Sequence, residues 1–215
     1  MVEQDLFQSQ DDGSIPISPL QLFFRRIVRS DSANRIFVRN HYAHRAVPIS
    51  FAFGAYKKDK MQTVVGAISY GKPASPSLCV GACGKENAHR IYELNRLWMA
   101  DECPKNSESR FIGWTLRILR QIRPNWILVS YADTDQKHTG AIYRATNWIY
   151  TGLSDPRECG DYPTDDGKHP RHSKKSDKPN VRRSRKHRYF YFFNKEDIKL
   201  LKYPILNFNV VAESE

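Results

Sequence analysis

The sequence predicts an α+β fold, α and β in layers, with a mixed central sheet flanked by helices. Three observations predict it. Phe111, Ile112, Thr115, Leu116, Ile118, Leu119 and Ile122 recur at helical spacing over 107–123, which marks a helix with one apolar face. A short, nearly all-apolar run from Trp126 to Tyr131 follows Pro124 and reads as a buried strand. Strand-like and helix-like segments alternate on both sides of that pair, an order that layers helices on a sheet.

Taken in order, residues 1–18 are polar and acidic and form a loose lead-in. Leu20 to Val28 is apolar-rich and suits a strand or short helix. Ser30-Asp31-Ser32 is a helix-start signal before 33–42, which ends at His41-Tyr42-Ala43-His44 ahead of Pro48. Ile49–Tyr56 and Gln62–Tyr70 are two strands joined by the charged tip Lys57-Lys58-Asp59-Lys60. Residues 71–90 read as a loop rich in Gly, Pro, Ser and Cys, and Arg90–Met99 as a strand alternating through Tyr92, Leu94, Arg96 and Trp98. On the helix over 107–123, Arg110, Gly113, Arg117 and Arg120 fall opposite the apolar face. A short helix over 138–145 and strands at 148–151 and 188–193 follow. The expected organisation is the lead-in 1–18, one domain over 19–195 with a basic insertion at about 153–187, and a C-terminal extension over 196–215.

The chain has 215 residues, 40% hydrophobic and 27% charged. That supports one core and excludes collagen-like or wholly disordered chains. No stretch has the ~18 consecutive apolar residues of a membrane span, and the acidic start is unlike a signal peptide. The expectation is a soluble cytoplasmic protein with no membrane partner. Cys79, Cys83, Cys103 and Cys159 lack the paired short spacings of a zinc ribbon and read as scattered reduced cysteines.

The net charge is +11, and such a surplus points to a polyanionic partner. Most of it has an address. Residues 168–188 hold ten Lys and Arg against one Asp. Lys174, Lys175, Arg182, Arg183, Arg185, Lys186 and Arg188 are therefore the candidate contacts to a phosphate backbone. Three other clusters suit chemistry. Asn106, Ser107, Ser109 and Arg110 stand at the start of the central helix, where free amides and the dipole favour an anion. Ser130 and Asp133 end the buried strand, the place where open sheets gather ligands, with Tyr143 following as acid or anchor. Asp133 is equally a turn residue by type. His41 and His44 are three residues apart and make a weak metal candidate, with no third ligand set by spacing. No G-x-S-x-G elbow occurs, which excludes a triad hydrolase of that kind.

Several of these segments together resemble one family. They are Glu93-Leu94-Asn95-Arg96-Leu97-Trp98, Pro104-Lys105-Asn106-Ser107-Glu108-Ser109, Ser130-Tyr131-Ala132-Asp133, Gly140-Ala141-Ile142-Tyr143-Arg144-Ala145 and Tyr150-Thr151-Gly152. With Asn40-His41-Tyr42, Ile68-Ser69-Tyr70-Gly71 and Arg188-Tyr189, their order and spacing over roughly 20–195 resemble the Mom family of bacteriophage DNA-modification proteins. The resemblance implies a GNAT-like acetyltransferase fold, a twisted mixed sheet splayed at its middle. It also implies a transferase that converts adenine in double-stranded DNA to an N6-carbamoylmethyl (acetamido-type) adenine, blocking restriction enzymes. The loop Lys105 to Arg110 departs from the glycine-rich acetyltransferase pattern, with Gly113 the one nearby glycine. The donor is thus open between acetyl-CoA and an activated glycine such as glycyl-tRNA. Under this reading Asp133 is base or adenine-edge ligand. Arg96 and the 106–110 helix start bind donor anions with Ser130, and Tyr70, Tyr143 and His41 position or protonate. Tyr42, Tyr70 and Trp98 are available to stack on a base that has left the duplex. The alternatives are a non-catalytic basic nucleic-acid-binding protein and an acetyltransferase for another amine.

Overall fold

The structure is a computed structural model that describes residues 18–27, 29–58, 63–154 and 184–209. Seven strands form one sheet: β1 (Leu22–Ile27), β2 (Phe51–Lys57), β3 (Val64–Gly71), β4 (Ile91–Met99), β5 (Ile127–Asp133), β6 (Ile149–Leu153) and β7 (Lys186–Phe192). Their spatial order is β1-β2-β3-β4-β5-β7-β6. All neighbours are antiparallel except β4 and β5. Four helices complete the layers: α1 (Ser30–Asn40), α2 (Pro76–Cys83), α3 (Ser107–Ile122) and α4 (Ala141–Arg144).

The parallel pair is the unusual element. β4 and β5 pair only at Ile91↔Ile127, Tyr92↔Leu128 and Glu93↔Val129. Beyond that point β4 stays with β3 as far as Gly66↔Met99, and β5 stays with β7 as far as Asp133↔Lys186. Each strand follows its antiparallel partner, so the two halves of the sheet part after Glu93 and Val129.

α3 buries Phe111, Ile112, Thr115, Leu116 and Leu119, the stripe that the 3.6-residue period predicts. Phe111 stacks on Phe24 of β1 at 4.7 Å. The buried stripe stops one turn short of the prediction, because Ile122 is 41% exposed. α1 buries Ala33 and Phe37 against Ala52 of β2 and Ala67 of β3; the small strand residues let the helix lie close. Its N-cap is Arg29, which makes no side-chain cap bond, and Ser30 is already helical. The expected Ser-Asp-Ser cap is thus displaced inward, with Asp31 in the first turn held by Arg29 at 3.0 Å, a favourable place for an anion.

Two further differences from the expected order have local causes. The stretch 71–90 contains α2, whose Ser75 side chain accepts the Leu78 amide and whose first helical residue is Pro76, a helix start in Ser-Pro form. Cys79, Ala82 and Cys83 of α2 pack on Ile127, Val129, Phe190 and Phe192, and Cys79, Cys83 and Cys103 are free thiols. After Leu200, the chain returns to the sheet: Tyr203 stacks on Phe190 and the Leu206 amide donates to the Tyr150 carbonyl.

β4 does not alternate simply. Its register against β3 shifts between Ser69 and Tyr70, leaving Asn95 as the extra residue. Tyr92 and Leu94 face the α3 core before this bulge, and Leu97 and Met99 face it afterwards. Arg96 and Trp98 therefore point to the other face, where Trp98 packs on the α1 cluster. The bulge re-aims Arg96, which simple alternation would have put under α3. Asn95 pins it: its Oδ1 accepts from the buried Ser69 hydroxyl at 2.7 Å and its Nδ2 donates to the Pro48 carbonyl at 2.9 Å. Replacing Asn95 by Ala leaves the Ser69 hydroxyl buried without that acceptor, a cost of about 1–3 kcal/mol. Asn95→Ala should lower Tm by about 5 °C in a thermal melt; an unchanged Tm would show that Asn95 does not hold the bulge.

Candidate functional site at the parting of the sheet

Where β4 and β5 separate, backbone groups that would have paired need other partners. Ser130 of β5 supplies one. Its hydroxyl donates to the Leu94 carbonyl across the gap at 2.8 Å. A serine has one hydrogen to give, so the Tyr143 hydroxyl, 2.8 Å from the same oxygen, donates to Ser130. Ser130 thus ties β4, β5 and α4 together. The sequence suggests it as a donor contact; the structure puts it at the floor of the gap. Tyr143 is buried at 6% exposure, and burial raises its pKa well above the usual tyrosine range, so it remains a neutral phenol. Gly140, the N-cap of α4, has φ +72° and lies against the Tyr189 ring, where any side chain would collide.

Asp133 ends β5 and is 8% exposed. Its Oδ2 pairs with Lys186 of β7 at 2.9 Å, and its Oδ1 accepts the Asp135 amide at 3.1 Å. Burial pushes its pKa up, but hydrogen bonds from Ser184 and Lys186 outweigh that and hold it below the ordinary carboxylate value. Asp133 thus makes the turn through the Asp135 amide, and it keeps a negative charge at the end of β5.

Arg96 approaches from β4. One of its terminal nitrogens donates to the Asn95 carbonyl at 2.7 Å, while its Nε is buried with no hydrogen-bond partner among the described residues. A buried donor without an acceptor is costly, and an anionic or carbonyl ligand would satisfy it. His41 and Tyr42 come from the end of α1. His41 Nδ1 accepts the Ala43 amide at 3.1 Å, which places the proton of the neutral ring on Nε2. Burial lowers His41 from its ordinary value to about 4, and the charges of Arg96, His138, His44 and Lys186 add to the effect. Tyr42 stacks on His41 with ring centroids 4.3 Å apart and meets the His138 ring edge-on at 5.9 Å. Burial and the Asp133 carboxylate raise the Tyr42 pKa, with Arg96 pulling the other way. Arg96, Asp133, His41, Tyr42, Tyr143 and His138 thus share one electrostatic neighbourhood.

Other predicted site residues lie apart from this group. Tyr70 is fully buried and its hydroxyl is 2.6 Å from Thr115; Thr115 itself donates to the Ile112 carbonyl, so Tyr70 donates and presents no surface to a ligand. At the start of α3, Ser107 donates to the Pro104 carbonyl at 2.6 Å and Ser109 to the Asn106 carbonyl at 3.1 Å. Arg110 donates to the Pro19 carbonyl at 2.7 Å and lies over the Phe24 ring. Asn106 caps with φ 70° and no side-chain bond, and Glu108 sits in the first turn. The backbone amides there suit an anion, but the hydroxyls and the guanidinium are committed and Glu108 opposes a pyrophosphate. These residues do not fit coenzyme A in the glycine-loop manner.

Of the basic tract, Arg188 is half-buried against the sheet, with its Nε on the Thr151 hydroxyl at 2.9 Å and its guanidinium 3.5 Å from the Tyr203 ring. Lys186 serves Asp133. Arg185 donates to the Ser154 carbonyl at 3.1 Å. Lys174, Lys175, Arg182 and Arg183 lie outside the described residues. His44 Nδ1 is 3.0 Å from the Val38 carbonyl, and among the described residues no cluster of three His, Cys, Asp or Glu is placed to hold a metal. Sequence reasoning missed His138 and the role of Lys186. The signal for His138 was its place just past the C-terminal end of a buried strand.

The chain matches the profile of the Mom protein family over residues 21–209. It belongs to that family. One relative, the methylcarbamoylase mom of Escherichia phage Mu, is 30% identical over 130 residues, which is 60% of this chain and 49% of the phage Mu protein. The chain thus spans about half the length of the curated relative it matches. Solved structures share its fold at low identity. The ribosomal-protein-S5-alanine acetyltransferase of Vibrio fischeri has a TM-score of 0.51 at 11% identity, covering 81% of this chain and 94% of its own. For the spermidine/spermine N-acetyltransferase SpeG of Vibrio cholerae the values are 0.51 and 12%, with 84% and 98% covered. For yncA of Salmonella typhimurium, solved with acetyl-CoA, they are 0.52 and 9%, with 81% and 95% covered. The α+β layered, GNAT-like fold expected from the Mom-family resemblance is therefore the fold observed. No helix among the described residues is long and apolar enough to cross a membrane.

The depressed His41 pKa makes stability depend on acidity in a stated direction. The unfolded histidine takes up a proton near 6.5 and the folded one near 4. The unfolded state binds more protons between these values, so stability is full above pH 6.5 and falls as pH drops towards 4, by up to about 3 kcal/mol. Urea unfolding at pH 7 and pH 4.5 should show this loss, and His41→Gln should flatten it; an equal loss in the variant would assign it elsewhere.

Proposed function

We propose that this Mom-family chain is a transferase that converts adenine in double-stranded DNA to N6-carbamoylmethyl adenine and so protects the DNA from restriction enzymes. It would work in the cytoplasm of the cell whose DNA it modifies. The observation that carries the reading is the convergence of Arg96, Asp133, His41, Tyr42 and Tyr143 at the parting of β4 and β5, in a family whose phage Mu relative is named a methylcarbamoylase.

The chemistry assigns roles by charge state. The exocyclic N6 of adenine is conjugated with the ring and weakly nucleophilic, so it needs alignment with an electrophilic carbon and an acceptor for the departing proton. Asp133 is the anion of the group, and it accepts a hydrogen bond from N6. Lys186, next to it, holds that carboxylate in place and limits its strength as a base. Arg96 has a buried donor to offer, suited to the carbonyl or anionic oxygen of the transferred unit. His41, neutral with its proton on Nε2, donates. Tyr143 acts through Ser130 as a positioning residue. Of the two donors, an activated glycine such as glycyl-tRNA carries every atom of the added unit, whereas acetyl-CoA lacks its nitrogen; attack by N6 on the glycyl ester carbon releases the tRNA hydroxyl and gives the N6-glycyl amide, an isomer that must then rearrange to the carbamoylmethyl group. A metal at His41 has no support from its neighbours.

Nucleoside mass spectrometry of DNA from cells expressing the chain should show a carbamoylmethyl deoxyadenosine. Asp133→Asn and Arg96→Gln should each reduce it at least about tenfold with DNA binding kept. Absence of the product from the unaltered chain, or its persistence in Asp133→Asn, would refute the proposal.

The basic tract adds a separate expectation. Neutralising Arg182, Arg183 and Arg185 should weaken duplex binding and flatten its dependence on salt by about one log unit per lost phosphate contact. An unchanged salt slope would mean that the tract does not touch the backbone.

A further inference from the structure

Tyr42, Tyr70 and Trp98 suit stacking by type, and their environments separate them. Tyr70 is fully buried with its hydroxyl on Thr115 and its ring edge-on to Phe53. Trp98 packs into the cluster of α1, Ala52 and Ala67. Tyr42 alone of the three is half-exposed, at 46%, although its neighbour His41 is only 7% exposed.

The position of Tyr42 is also fixed. It directly follows His41, the C-cap of α1. Its ring rests on the His41 ring at 4.3 Å and 30°, and His41 in turn meets Phe37, a fully buried residue of α1, edge-on at 6.5 Å. This series runs from the core outward, Phe37 to His41 to Tyr42, and ends in an exposed aromatic ring. The charge of Arg96 acts on both His41 and Tyr42, and the Asp133 carboxylate acts on the Tyr42 hydroxyl. His138 stands at 5.9 Å with its plane at 77° to Tyr42, forming a wall beside the ring.

A flat, exposed ring backed by rigid core, beside a carboxylate acceptor and a buried guanidinium donor, is matched by a planar heterocycle with an amino group on its edge. We propose that Tyr42 is the platform on which the target purine stacks after it leaves the duplex, its amino edge turned to Asp133. This inference rests on the reading of the chain as an adenine-modifying transferase and adds the residue that holds the base. A base removed from the duplex loses its stacking neighbours, and an aromatic face restores part of that energy whatever the base sequence around it. The requirement is for a π face, not for the phenol hydroxyl.

That requirement sets the test. Cells expressing the full chain with Tyr42→Phe, Tyr42→Trp, Tyr42→Leu or Tyr42→Ala are assayed by nucleoside mass spectrometry, and each purified variant is melted. Phe and Trp should stay within about threefold of the unaltered chain, whereas Leu and Ala should fall at least about tenfold with Tm unchanged. Leu keeps bulk and apolarity but not the π face, so its loss separates stacking from packing. Modification by Leu and Ala at the unaltered level would overturn the proposal, as would a Phe variant as poor as Ala, which would assign the role to the hydroxyl. An unaltered chain that modifies nothing overturns the transferase reading and this inference with it; an active unaltered chain with active Leu and Ala variants overturns this inference alone.

Discussion

The parting of β4 and β5 after three residue pairs is the constraint on which the remaining features depend. A parallel pair held on each side by antiparallel neighbours separates once those neighbours pull in different directions, and here β3 holds β4 to Met99 while β7 holds β5 to Asp133. The opened strands expose polar backbone inside the protein. Ser130 closes part of that gap by donating to Leu94, and Tyr143 completes the link from α4. Arg96 comes to this parting from β4 and Asp133 from the end of β5. The bulge at Asn95 turns Arg96 to the face that also carries α1, so that the end of α1 brings His41 and Tyr42 to the same place.

Charge is partitioned around that parting. Residues 168–188 supply most of the net +11, and one of them, Lys186, pairs with Asp133. Pairing with Lys186 keeps the carboxylate ionised and shielded, and leaves it as a directional acceptor. His41 shows the opposite balance: buried among Arg96, His138 and Lys186, it sheds its proton and contributes no further positive charge.

Periodicity and strand chemistry made most of the fold legible. α3 and β5 announce themselves, because a 3.6-residue stripe and a short all-apolar run each have few alternatives. α2 was hidden in a stretch of Gly, Pro, Ser and Cys whose composition favours loops, although Ser75-Pro76 marks a helix start. The Asn95 bulge was not legible, since alternation gives no sign of one extra residue until the partner strand is known. Of the residues that the structure brings to the parting, Asp133 and Tyr143 were visible from their place after a buried strand. The Tyr70 hydroxyl was not, because its partner Thr115 is 45 positions away in sequence. Arg188 looked like a phosphate contact by type, and only the sheet shows it folded onto Thr151 and Tyr203.

The proposed function puts the base between Arg96 and Asp133. A crystal structure of the chain bound to duplex DNA decides this. The expected result is an adenine outside the duplex, with its N6 at hydrogen-bond distance, about 3 Å, from the Asp133 carboxylate and its ring on Tyr42. An adenine that stays stacked in the duplex, or one extruded against another part of the sheet, would contradict it.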